Sequence, residues 1–402
     1  MRAIKILTLV TIVVITASCG SANAEQPPVP IEFETYNNSV KESEGSGFPL
    51  SLDICIDSPV GDGELQQNVK KGIMELLSQS AISKALGAPQ GSTVKEVGDN
   101  YAATFKQKAK AGLGRSVVIR FSHVYQNEKC VVLYVDDDGV DFESSRKYEV
   151  VIRLSDGHLM TNDEIAKISK AQLLDLARKY ADESQRKGGI EEEGKYDLSI
   201  GDGELLFHPD QHQPTEYAIP MKAVESFLTE DGKAMMAAKP LMAERPIGPE
   251  DIVKGDLGLY DLRGPVKSAK DFGSETEYTF DTSGYLQTYN GMSVKLVLYE
   301  KITRNDKGLP IECYTTSDSK NTFTYNNKGL PVKRVYTVGK RVEQIDTYYY
   351  NSQDELIKVN GMLILNENDN TGITEKYYGF KYDSHGNWIE RNGSKREITY
   401  YE

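Results

Sequence analysis

The run from Tyr278 to Trp388 constrains this chain most, because one short phrase recurs in it. The phrase is an aromatic, any residue, Tyr or Phe, Asp or Asn, two polar residues, Gly, and then an apolar residue. It reads Tyr278 to Leu286 through Phe280, Asp281 and Gly284, then Phe323 to Leu330 through Tyr325, Asn326 and Gly329. It returns as Tyr348 to Leu356, with Tyr350, Asn351 and Asp354, and as Phe380 to Trp388, with Tyr382, Asp383 and Gly386. A degenerate copy, Arg304-Asn305-Asp306-Lys307-Gly308-Leu309-Pro310, stands between the first two. Alternating aromatics put every second ring on one face of a strand. Asp or Asn followed by Gly is turn chemistry, since the side chain bonds its own backbone two residues on and Gly takes positive φ at no steric cost. Each unit therefore predicts a β-hairpin tip with a strand on either side. A lone hairpin cannot bury its apolar face, so the units must stack.

The run resembles the tyrosine-aspartate (YD) repeats of bacterial cell-surface and toxin-shell proteins, over about the last third of the chain. An all-β hairpin-repeat array over 256–402 is expected. Tyr348, Tyr350, Tyr382 and Trp388 then have two readings: rings that form the core of the repeats, or exposed rings that stack on sugars. With 24 Tyr in the chain, more than a small core needs, some are expected at the surface as a binding row.

The chain has 402 residues and a net charge of -13, from 60 acidic against 47 basic residues. No basic stripe stands out, so nucleic acid is not an expected partner. The N-terminus, 1–24, reads as an export signal: Arg2 and Lys5, then an apolar run Ile6 to Ile15, too short to span a bilayer. Two processing readings compete. Ala22-Asn23-Ala24 fits ordinary signal peptidase, whereas Thr16-Ala17-Ser18-Cys19-Gly20 resembles a lipobox with Cys19 as the lipid-modified residue. Either places the mature protein outside the cytoplasm, and the second anchors it to a membrane. Of the other cysteines, Cys55 and Cys130 read as small buried hydrophobes on strands, with a disulfide between them as the alternative.

Residues 25–47 read as a polar tether that includes an edge strand at Ile31 to Tyr36. Residues 48–235 read as an α+β domain. Leu50, Leu52, Ile54 and Ile56 alternate as a strand, and Leu65, Val69, Ile73, Leu76 and Leu77 mark one helix face. Capping boxes are expected at Thr93/Glu96, Thr161/Glu164 and Ser169/Gln172. Strands are expected at Ser116 to Val124, Cys130 to Val135, Tyr148 to Leu154, Tyr196 to Ile200, Glu204 to Phe207 and Tyr217 to Ile219. An acidic loop, Asp136-Asp137-Asp138-Gly139 with Asp141 beyond it, follows the second of these. Residues 236–255, with Pro240, Pro246 and Pro249, read as a linker.

This order, carried by Val151 to Gly157, Leu205 to Pro209 and Tyr217 to Pro220, resembles the extracytoplasmic α+β domain of a lysozyme-sensing anti-sigma factor and of some peptidoglycan deacetylases. The resemblance spans about 48–230 and implies a binding domain, possessing no catalytic residues, with a muramidase as the implied partner. Many relatives carry a Gly-rich, His-containing turn where this chain has Asp136, Asp137, Asp138 and Asp141.

No catalytic signature stands out. His208-Pro209-Asp210-Gln211-His212 offers zinc-type donors, but Pro209 and Pro214 forbid the helix that would make them converge, and a solvated loop is expected. The four aspartates offer oxygens for Ca²⁺, yet the spacing matches no EF-hand. No metal or cofactor is expected. The expectation is a lipid-anchored envelope protein that binds a protein or a glycan through Asp136, Asp137, Asp138, Asp141 or the array tyrosines and Trp388. Its rivals are a structural spacer and, behind that, a glycan-active hydrolase with a carboxylate pair.

Overall fold

The structure, a computed structural model, describes residues 29–42, 50–110, 116–138, 146–182, 185, 195–209, 216–242, 244–246, 253–293, 300–316, 318–366 and 369–402. The export signal, Cys19, Asp141, Asp210 and His212 lie outside these residues.

The first sheet holds β1 (Phe33–Glu42), β2 (Leu50–Pro59), β3 (Val117–Gln126), β4 (Cys130–Asp138) and β5 (Arg146–Arg153), in that order. Only β2 and β3 are parallel, and a parallel pair needs a crossover. The crossover consists of α1 (Glu64–Gln79), α2 (Ala81–Leu86) and α3 (Val94–Lys110). Leu52, Ile54 and Ile56 share the face that meets these helices with Ile119, Phe121, Leu133 and Val135, against Val69, Ile73, Leu77, Val97 and Phe105. The acidic stretch is not a loop through Asp138. Asp136 and Asp137 sit in β4, opposite Lys147 and Arg146 of β5, whose cations favour continued pairing. Residues 33–42 of the expected tether are likewise strand, because β1 pairs with β2 without a bulge over all its residues.

A second, smaller layer covers part of the other face of this sheet. It contains α4 (Asn162–Ile165), α5 (Lys170–Tyr180), β6 (Asp197–Ile200), β7 (Glu204–His208), β8 (Tyr217–Pro220), α6 (Met221–Val224) and α7 (Glu230–Ala237). Cys130, Val132 and Val151 from the first sheet pack there against Leu173, Ala177, Phe207, Tyr217 and Ile219. The boxes at Thr161/Glu164 and Ser169/Gln172 form as expected. At α3 the box is shifted. Thr93 accepts from the Glu96 N–H at 3.2 Å, but the Glu96 carboxylate turns to the Ser92 N–H at 2.8 Å. Cys55, Cys130 and Cys313 are free thiols.

The rest is antiparallel sheet. It begins with β9 (Val266–Asp271), β10 (Thr276–Phe280), β11 (Leu286–Tyr289) and β12 (Met292–Ser293). A seven-stranded meander follows: β13 (Lys301–Arg304), β14 (Pro310–Tyr314), β15 (Ser319–Tyr325), β16 (Pro331–Val338), β17 (Arg341–Tyr350), β18 (Leu356–Asn366) and β19 (Asp369–Lys376). Then β20 (Lys381–Tyr382), β21 (Trp388–Arg391) and β22 (Ser394–Tyr400) rejoin the first four, with β22 beside β9. The molecule is thus a mixed α+β half followed by a β-rich half.

All five copies of the repeated phrase form one turn. Asp281, Asn305, Asn326, Asn351 and Asp383 each accept N–H bonds from residues two and four further on, at 2.9–3.1 Å. The residue three after each has positive φ: Gly284, Gly308, Gly329, Asp354 and Gly386, at 60–85°. The strand pairing shifts register by one at every copy. Residues 244–246, from the expected linker, and 253–263, which continue into the first residues of the expected array, lie as a strap across these turns. Asp256 binds the Gly284 carbonyl through its N–H at 2.9 Å and Arg304 through its carboxylate at 2.6 Å. Gly258 lies against the Gly329 carbonyl. Arg263 donates to the Asp354 carbonyl, and Arg245 to that of Gly386 at 3.2 Å. A Cβ on Gly386 would come within 2.1 Å of the Pro246 carbonyl, so this tip needs glycine for space as well as for φ.

Candidate functional site

The deepest concentration of ionisable groups lies where the two halves meet. Glu149 occupies a buried position of β5, on the strand face that also carries Val151. His208 ends β7 and Glu216 immediately precedes β8, so the small sheet brings both to Glu149. From the β-rich half, Lys358 enters on β18 and Lys376 at the end of β19. Lys376 ion-pairs with both carboxylates. Lys358 Nζ lies 3.2 Å from Glu216 Oε1. His208 Nε2 is 3.5 Å from Glu149 Oε2, 3.8 Å from Glu216 Oε2 and 3.3 Å from Ser199 Oγ, and Ser199 donates to Glu149. Beside the cluster, Tyr349 donates to Asp182, and Asn360 does so at 3.0 Å.

Burial alone would raise the Glu149 and Glu216 carboxyls, but Lys376, assisted by His208 at Glu149 and by Lys358 at Glu216, holds both below the ordinary carboxylate range. Burial alone would lower Lys376; the two carboxylates overcome it and raise the ammonium instead. One donor atom each from Glu149, His208 and Glu216 lie within 4.8 Å of one another, a set that matches a divalent metal in ligand type. The charge count points elsewhere. Two carboxylates already face two ammoniums, and Lys376 bridges the two carboxylates that a metal would have to share. The arrangement is a closed, balanced ion cluster between the halves.

The residues singled out from sequence are dispersed. Asp137 is fully buried; its carboxylate accepts the Ala81 N–H at the start of α2 at 2.7 Å and lies 3.8 Å from Arg146. Asp136 and Asp138 point to the opposite face of β4, in register with Arg120 and Val118 of β3, and burial raises the Asp136 carboxyl despite Lys147 and Arg120. Asp53 of β2, half-buried, is the register partner of that same Val118. Tyr350 donates to the Pro331 carbonyl at 2.8 Å and Tyr325 to that of Pro310 at 2.6 Å, so each ring clips its unit to the one before. Tyr382 donates to Glu355, Tyr348 is half-buried, and Trp388 is buried between the Arg391 and Arg396 guanidiniums at 4.1 and 3.7 Å. Ring hydroxyls spent inside the repeats are core groups first. His208 is buried, not in a solvated loop, because Glu149 and Glu216 give its ring polar partners. The acidic excess belongs to the first half: residues 48–235 hold 31 acidic against 22 basic groups, and 256–402 hold 21 against 19.

No family model matches the chain, and no curated protein matches it by sequence. Among solved structures it is similar to a member of the DUF3298 family from Bacteroides fragilis NCTC 9343, with a TM-score of 0.37 and 12% identity, covering 52% of this chain and 97% of that one. A DUF3298 family protein from Pseudomonas aeruginosa PAO1 is similar with a TM-score of 0.33 and 9% identity, covering 50% of this chain and 96% of that one. Among the described residues, no helix is long and apolar enough to cross a membrane.

Proposed function

We propose that this is an exported binding protein of the cell envelope, anchored by a lipid on Cys19, that works without catalysis. The α+β half captures a cationic protein such as a muramidase, and the β-rich half, an array of YD-like repeats, is the stiff platform that carries it. One observation carries this reading. The buried ionisable groups at the centre of the molecule are committed to one another in joining the halves, while Asp53, Asp136 and Asp138 remain half-exposed on one face of the first sheet. An acidic half favours a basic partner by steering, and polar groups on a sheet face supply the contacts. The second reading, a spacer that binds nothing, is favoured by the array hydroxyls being used between repeats.

The test is calorimetric titration of a basic muramidase into the chain without its leader, at physiological salt or above, where loose charge attraction is screened. Saturable binding that weakens in Asp136→Asn and Asp138→Asn is expected. Binding that vanishes with salt, or no binding, leaves the spacer reading.

A further inference from the structure

The ion cluster has the parts for a covalent reaction of its own. Amide formation between a lysine and a glutamate needs the amine against the carboxyl carbon, shielded from water. It also needs a base for the amine's proton, a cation at the oxygen that stays, and a proton donor at the oxygen that leaves. Lys376 contacts Glu216 through Oε2; Glu216 is buried, and the Lys376 side chain keeps 19% of its surface exposed. Glu149 contacts the same ammonium through Oε1. Lys358 Nζ sits 3.2 Å from Glu216 Oε1. His208 Nε2 stands between the two carboxylates, 3.5 Å from Glu149 and 3.8 Å from Glu216 Oε2.

We propose that Lys376 and Glu216 close an intramolecular amide bond that cross-links the two halves of the molecule. Glu149 takes one proton from the Lys376 ammonium, and the free amine attacks Glu216 Cδ. Lys358 balances the charge that builds on Oε1. The proton held by Glu149 passes through His208 to Oε2, and a second proton follows from the attacking nitrogen. The N–Cδ bond forms, the Cδ–Oε2 bond breaks, and Oε2 leaves as water. One proton stays on the amide nitrogen, Glu149 is regenerated, and no oxidant, reductant or co-substrate takes part. The reaction removes one ammonium and one carboxylate from an interior where each is costly, and leaves Lys358 and Glu149 as the remaining opposite charges of the cluster.

The decisive measurement is the mass of the purified, denatured full chain compared with that of its Lys376→Arg variant. A guanidinium keeps the positive charge but does not form the amide. The wild type is expected to be lighter than its processed sequence by one water, and the variant to have its full mass. A protease digest should yield one branched peptide joining the Lys376 strand to the Glu216 segment. Glu216→Gln should still close, losing one ammonia in place of water. Full mass in the folded wild-type chain overturns the proposal, whatever the variants do, and a branch at Glu149 overturns the assignment of Glu216 as the acceptor.

Discussion

The two halves use charge in opposite ways. In the α+β half a charged group that leaves the surface is isolated and must be met over a long sequence distance: Glu149 waits for Lys376, and Asp137 closes on the Ala81 N–H. In the β-rich half, outside the contacts that Arg245, Asp256 and Arg263 make over long sequence distances, the recurring polar unit is local: one turn with an Asx side chain is written five times. Long-range buried charge is unforgiving of change, because a lost partner leaves an ion in a dry site. A repeated local turn spreads its stability over many similar, replaceable bonds.

Substitutions can break this contrast. Lys376→Ala leaves two buried carboxylates without their shared cation and is expected to cost about 3–5 kcal/mol in denaturant unfolding. The same variant frees the Glu149, His208 and Glu216 donors, so zinc should raise its melting temperature and leave that of the wild type unchanged. By contrast, Arg341→Ala, at an exposed pair with Glu343 in the array, should leave the melting curve where it is.

Acid should separate the halves next. His123 on β3 is half-buried, stacks on Phe33 at 4.1 Å and has a buried, unbonded Nε2. Burial lowers its pKa from 6.5 to about 4. A depressed histidine is neutral in the folded state while the unfolded chain takes up a proton, so its contribution is complete above pH 6.5 and is lost as the pH falls towards 4. The loss should be about 2–3 kcal/mol, and His123→Phe should flatten it. Glu149 and Glu216 do not follow this course, since their lowered pKa values keep the cluster charged until stronger acid. Probes in the α+β half should therefore weaken first on acidification.

Within the array the effects are smaller. Asn326→Ala removes the acceptor of the Lys328 and Leu330 N–H groups and should cost about 1–2 kcal/mol by thermal melting, with Asn305→Ala similar. Asp354 is the one turn residue of the five that takes positive φ without being glycine. Asp354→Gly relieves that conformation but gives up the Lys328 pair, so a gain of about 0.5 kcal/mol or less is expected.

The same contrast explains what could be read from the sequence. The five turns were legible because Asx, Gly and the flanking aromatics lie within a few residues of one another, and the geometry is as local as the spelling. The capping boxes at Thr161 and Ser169 were legible for that reason. The ion cluster was not, since its members come from positions 149, 208, 216, 358 and 376 and no short motif links them. A signal did exist: Glu149 shares a strand face with Val151, and Lys358 alternates with Leu356, Asn360 and Met362, all buried. Charges on apolar faces ask for partners but do not name them. The strap failed differently. The prolines of 236–255 spell a linker, while Arg245 within it, and Asp256 and Arg263 just beyond it, are buried by turns that lie tens of residues downstream.

The pairing of β9 with β22 has a consequence in time. On the ribosome, residues 266–271 emerge with one neighbour, β10, close behind, while the strand for their other edge, 394–400, emerges only after roughly 130 more residues. Until then the nascent array exposes an unpaired strand edge, which invites pairing with other chains. The meander between them can zip up pair by pair as it is made, so the array should mature from its middle outwards and finish at the seam where it began.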